Sequence, residues 1–214
     1  MTDSYQTPQN RGWYSRGYLP HFDVAGVPQI ITFRQDDSVP ARLVRVYRSM
    51  VGGAKAAGER ARAQERVLTH LEKYLGKGRG SCRLADPRVA RIVEDVLLFG
   101  DGRDYELCAW VIMPNHGHVV AKAIGPTPLA IITPQWKNIT AIAINRLFGS
   151  SGRFWQPEVF DRFLRGPDHR LFAIRYVELN PVTARLCRSP LDWAFSSARR
   201  WPERWGGRGS GSRE

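Results

Sequence analysis

The chain has 214 residues, 43% of them apolar, which is enough for one hydrophobic core. No apolar run approaches the ~18 residues of a membrane helix. Cys82, Cys108 and Cys187 are scattered without a CxxC, which argues against a disulfide framework, and the polar N-terminal stretch lacks a signal-peptide core, so a cytoplasmic protein is expected. Thirty-two Lys and Arg against 20 Asp and Glu give a net charge of +12, which points to a polyanionic partner, nucleic acid foremost.

Residues 1–18 are polar and read as a flexible arm, and 19–28 as an extended lead-in. Residues 29–34 are β-branched and aromatic and predict a strand. Two helices follow over 41–51 and 59–75, interrupted by Gly52, Gly53 and Gly58. The helix after Asp86 is well punctuated, with Pro87 at its first position and Gly100 past its end.

Residues 105–113 and 116–123 predict two strands joined by the turn Pro114-Asn115, hence an antiparallel pair. A long helix over 128–148 should bury Ile132, Trp136, Ile139, Ala143 and Leu147. Residues 153–164 include a short aromatic strand. Residues 168–179 predict a helix that buries Leu171, Ile174 and Val177 and is stopped by Asn180-Pro181. Residues 199–214 turn into Arg, Trp, Gly and Ser and read as a basic disordered tail after a domain over 19–198. This order of elements fits an α+β fold, a ferredoxin-like antiparallel sheet with packed helices.

His116 and His118 carry the first chemical signal. Residues two apart on a strand face the same side, so the two imidazoles stand together and suit one divalent metal ion, or are simply two packed histidines. Two nitrogens do not complete a site. Tyr176 and Asn180 are four apart on the last helix and share a face that its apolar stripe leaves free. If that helix lies over the histidine strand, a metal ion, an amide oxygen and a phenol meet where a phosphodiester could react.

These residues, in this order, resemble the REP-associated tyrosine transposase group of single-tyrosine HUH-type transposases. The matching stretches are LPHF at 19–22, ITFR at 31–34, WVIMPNHGH at 110–118, QWK at 135–137, FWQ at 154–156, FDR at 160–162, YVELNP at 176–181 and WAFSS at 193–197. The resemblance implies an HUH endonuclease-type core, with His116, His118 and Asn180 as ligands of Mg2+ or Mn2+ and Tyr176 as nucleophile. It implies single-stranded or hairpin DNA as substrate, cleaved and rejoined through a 5′-phosphotyrosine, by a monomer or a dimer associated with the nucleoid.

The residue between the two histidines is usually bulky in that group. Here it is Gly117, which is expected to loosen the strand. Arg34, Lys137, Arg162 and Arg165 are candidates to hold phosphates, and Trp155 is a candidate to stack on a base. Two other readings remain open at this point: a catalytically silent, domesticated DNA-binding protein, and a metallohydrolase using the histidines with Asp101, Asp104 or Glu106.

Overall fold

The computed structural model describes residues 12–15, 20–23 and 26–206. Most of the expected arm over 1–18 and the end of the tail lie outside them. Gly12–Ser15 (β1), placed by sequence in the arm, instead pairs with Pro20–Asp23 (β2) as an antiparallel hairpin that sets Trp13 opposite Phe22.

The core sheet has four strands: Gln29–Arg34 (β3), Tyr105–Met113 (β4), His116–Ala123 (β5) and Phe160–Phe163 (β6). Their spatial order is β4-β5-β3-β6, with every neighbour antiparallel. Helices lie between β3 and β4 and between β5 and β6, so the unit is the split β-α-β-β-α-β of a ferredoxin-like sheet. The expected α+β class holds.

One sheet face, carrying Ile31, Phe33, Trp110 and Val119, packs on Pro87–Phe99 (α3) and Leu129–Phe148 (α4). The other face carries Ile30, Val111 and Val120 and packs on Gly166–Thr183 (α5). Phe160, opposite Thr32 on that second face, joins the cluster formed by Ala41–Gly52 (α1) and Ala57–Leu75 (α2). The His116 face of the sheet is therefore flanked by α2 and α5.

Three local expectations change. In α4 the buried positions are Leu129, Ile132, Thr133, Trp136, Thr140 and Ile144, whereas Ile139 is 52% exposed and Leu147 also faces solvent. Thr140 can turn inward because its hydroxyl donates to the Trp136 carbonyl and accepts from the Trp155 indole, so burial leaves it satisfied.

Helix α5 passes through Asn180-Pro181 and ends at Thr183. Pro181 removes only the N–H that would meet the Val177 carbonyl, and the turn beyond is closed by Ala184 donating to the Asn180 carbonyl. Ile174 and Val177 are buried as expected, whereas Leu171 is exposed.

Finally, residues 199–206, expected in the disordered tail, form short turns packed on the core. Trp201 stacks edge-on against Trp110, and Arg204 and Trp205 both donate to the fully buried carboxylate of Glu178.

Candidate active site

The two-residue turn Pro114-Asn115 aligns Met113 with His116 and starts β5 with the histidines inward. The turn is held from outside. Leu84 donates to the Pro114 carbonyl, Gln35 donates to the Asn115 carbonyl, and the Asn115 side-chain amide donates to the Leu75 and Arg79 carbonyls. That leaves Asn115 Oδ1 to face His116 Nδ1 at 2.6 Å. An amide oxygen only accepts, so the His116 proton sits on Nδ1 and its Nε2 carries a lone pair.

His118 is held by Thr32, its cross-strand partner, whose hydroxyl lies 2.7 Å from Nδ1 and can accept from it or donate to it. The two Nε2 atoms then approach each other to 3.1 Å. Two nitrogens each ~2.1 Å from one ion stand about 3 Å apart when they are adjacent ligands, so this pair fits a shared metal. Were a metal bound there, Asn115 and Thr32 would be the outer partners that orient the two rings.

Both histidines are 2% exposed. Burial pulls the pKa of His118 down to about 3. It pulls His116 well below the ordinary value too, helped by the neighbouring His118 and Arg34 charges. Both imidazoles are thus neutral at physiological pH, the form in which an imidazole can bind a metal.

Gly117 does not leave a gap. It pairs across the sheet with Phe33, and a Cβ added at 117 would lie 2.7 Å from the Phe33 ring. The ring occupies the space that a bulky residue would take, and is itself braced edge-on by Trp155 at 5.0 Å. The expected loosening of the strand is corrected by this aromatic cover.

Helix α5 brings Tyr176 against His118, with ring centroids 5.5 Å apart at 73°. Tyr176 is 38% exposed, so its phenol is open on one side. Its pKa is pushed up to about 12, first by burial and then by the negative charge of Glu72, against the pull of Asn180 and Arg162. Asn180 lies one turn on, with its amide donating to the Tyr176 carbonyl at 3.4 Å.

Glu72, on α2, was not a candidate from sequence. It sits within hydrogen-bonding reach of the Tyr176 side chain, and burial raises its pKa while Arg162 opposes the rise. Nothing marks it in the sequence. It stands beside Leu71 on the edge of an ordinary amphipathic stripe.

The other candidates divide. Arg162 is exposed and close enough to Glu72 and Tyr176 to act on both. Arg165 is exposed and lies over the Phe163 ring. Lys137 donates to the Gln156 and Pro157 carbonyls at 2.6 and 2.8 Å, and burial lowers its pKa to about 8.

Arg34 is 1% exposed, because its pairing with His116 turns it under the site, so it offers no surface contact for a phosphate. Trp155 is 4% exposed, wedged between Phe33 and Phe154 with its N–H on Thr140, so its ring faces are not open to a base. Among the described residues no group of three or more His, Cys, Asp and Glu stands together as a metal site. Asp101 and Asp104 are engaged elsewhere, by the Leu107 amide and by Arg103.

No protein-family model matches the chain, and no curated protein matches it. Among solved structures, that of a REP-associated tyrosine transposase bound to a REP hairpin is similar, with a TM-score of 0.55 over 91% of this chain and 90% of that one. Sequence identity is 15%, so what the two share is the fold. Among the described residues, no helix is long and apolar enough to cross a membrane.

Proposed function

We propose that the chain is a metal-dependent single-stranded DNA nuclease and strand transferase of the REP-associated tyrosine transposase kind. Its substrate in this reading is a DNA hairpin with a single-stranded flank. The observation that carries the reading is the convergence of two buried, oriented imidazole nitrogens with a half-exposed tyrosine packed on one of them. The likeness to a transposase bound to a REP hairpin and the net charge of +12 support a DNA substrate.

His116, His118 and Asn180 would hold a divalent ion, Mg2+ or Mn2+, with imidazole favouring Mn2+. When bound, the ion supplies positive charge to a phosphodiester oxygen.

The protein residues do the rest. Tyr176 Oη attacks phosphorus, forming the new P–O bond as the bond to the 3′-oxygen breaks. Glu72 takes the phenolic proton, and the departing 3′-oxygen takes one from solvent. The products are a 5′-phosphotyrosine and a free 3′-hydroxyl. Reversal by another 3′-hydroxyl rejoins the strand without an external energy source, because the phosphodiester energy is kept. Arg162, exposed beside Tyr176, holds the phosphate on the open side.

The test is incubation with hairpin DNA and Mn2+ or Mg2+, followed by a denaturing gel. A shifted protein–DNA band is expected, absent with EDTA and absent in Tyr176→Phe. Hairpin binding that is indifferent to EDTA and gives no adduct with any metal would establish the catalytically silent reading instead. Cleavage that survives Tyr176→Phe would point to hydrolysis by bound water.

A further inference from the structure

Glu178 is a buried acidic group that the reaction above does not use. It is 0% exposed and stands on α5 two residues after Tyr176. Residues two apart on a helix point to nearly opposite sides, so Glu178 leaves the helix away from the phenol. Its Oε1 accepts from Ser197 Oγ at 2.7 Å and from Arg204 at 2.9 Å, and its Oε2 accepts from Trp205 Nε1 at 2.6 Å.

The three donors belong to one strap. Residues 193–197 run along the free edge of β4, where Ser196 bridges Val111, Ile112 donates to the Phe195 carbonyl, and Trp193 Nε1 donates to the Ile112 carbonyl. Ser197 Oγ also accepts from the Trp110 amide, and Arg204 also donates to the Cys108 carbonyl. Glu178 is therefore tied to the backbone of β4 at 108–112. That strand is paired in turn with β5, with Val111 opposite His118 and Met113 opposite His116. Hydrogen bonds thus connect the histidine strand, through β4 and the strap, to the helix that carries Tyr176.

Apolar packing does not set this helix by itself. Besides Pro181, the apolar residues that α5 buries are Ala173, Ile174 and Val177. Hydrophobic contact is non-directional, so it holds α5 on the sheet without fixing the rotation about its axis. Hydrogen bonds are directional, and those at Glu178 supply that restraint. The restraint bears on the chemistry, because a reacting group misplaced by ~1 Å loses on the order of a hundredfold in rate.

We propose that Glu178 is a positioning residue for the tyrosine chemistry. Through Ser197, Arg204 and Trp205 it sets the rotation of α5, and so the place of the Tyr176 phenol beside His118. The proposal rests on the Tyr176 reading given above and deepens it, because it makes residues 193–205 the strap that aims the nucleophile.

The test is the single-turnover rate of adduct formation on hairpin DNA at saturating Mn2+, with hairpin Kd measured by fluorescence anisotropy. Glu178→Gln sets an amide N–H against a donor of the strap, whichever way the amide turns. Its rate constant is expected to fall by about tenfold or more, with hairpin Kd within about twofold of wild type. Loss of folded protein alone lowers the amplitude and leaves the rate constant unchanged, which separates positioning from stability. Trp205→Phe removes the donor that faces Oε2 and keeps an aromatic ring. Alone it should slow the reaction several-fold, and combined with Glu178→Gln it should return part of the lost rate. It decides the matter if Glu178→Gln fails to fold. An unchanged rate constant in Trp205→Phe overturns the positioning role and leaves the DNA reading standing. A second readout needs neither DNA nor metal: 19F NMR of protein carrying 3-fluorotyrosine, in which the Tyr176 resonance is the one missing from Tyr176→Phe. That resonance should shift in Trp205→Phe. If the wild type forms no adduct on any hairpin, the DNA reading falls; a shifted resonance then still supports the strap, and an unmoved one overturns it as well.

Discussion

Thr32→Val removes one hydroxyl and keeps the shape. Valine is β-branched and suits the strand, so β3 is not perturbed. The lost group lies 2.7 Å from His118 Nδ1, with Thr32 3% and His118 2% exposed. A buried imidazole nitrogen left without a partner costs about 1–3 kcal/mol. The more telling loss is orientation. To point a lone pair at an ion, His118 must carry its proton on Nδ1, where the Thr32 hydroxyl can accept it. Without that hydroxyl, the proton is free to move to Nε2, where it faces the His116 lone pair 3.1 Å away and blocks coordination. Loss of such an outer partner typically lowers metal affinity ~10–100-fold. Isothermal titration with Mn2+ reads the affinity, and a urea melt of the metal-free protein reads the stability. Mn2+ affinity within twofold of wild type, in a protein where His118→Ala abolishes binding, would refute the assigned role of Thr32 and the tautomer argument with it.

The folded-state pKa of His118 is depressed to about 3, so the stability that its neutral form contributes is present above the unfolded value near 6.5 and is lost as pH falls towards 3; at pH 5 the loss is about 2 kcal/mol, read as a lower urea midpoint than at pH 8 and reduced in His118→Ala. Gly117→Val should destabilise by ~1–3 kcal/mol through overlap with the Phe33 ring, and Phe33→Ala in the same chain should return part of that, a coupling measurable by a double-mutant cycle. Glu178→Gln breaks the buried pairing with Arg204 and weakens the acceptor for Ser197 and Trp205, so about 3 kcal/mol of stability should go, together with protection of residues 197–205 against proteolysis.

The sheet and the histidine pair were legible because alternation along a strand and a Pro-Asn turn are local signals that survive without tertiary information. The Tyr176–Asn180 spacing was legible for the same reason: one helical turn fixes a shared face. What decides the site's precision was not local. Thr32 supports His118 through a register between strands far apart in sequence, and Glu72 reaches Tyr176 from a helix whose stripe looks ordinary.

Burial misled at Arg34 and Trp155. Composition suggests DNA contacts for an arginine and a tryptophan near the motifs, yet cross-strand pairing with His116 draws Arg34 under the site, and the gap above Gly117 is filled by the Phe33–Trp155 pair. In α4, apolar counting favoured Ile139, while a threonine with a satisfied hydroxyl took the inward place. The tail was read from composition alone, which gives no hint that a buried glutamate on α5 would hold Arg204 and Trp205.

Whether the histidines and Tyr176 form one DNA-joining centre is decided by mass spectrometry of the tryptic digest of protein incubated with hairpin DNA and Mn2+. Cleavage after Arg175 isolates the peptide 176–185, which starts at the tyrosine. A nucleotide remnant joined through phosphate to Tyr176 is expected on that peptide, and is missing in His116→Ala. A remnant on any other residue, or an adduct formed equally well in His116→Ala, would contradict it.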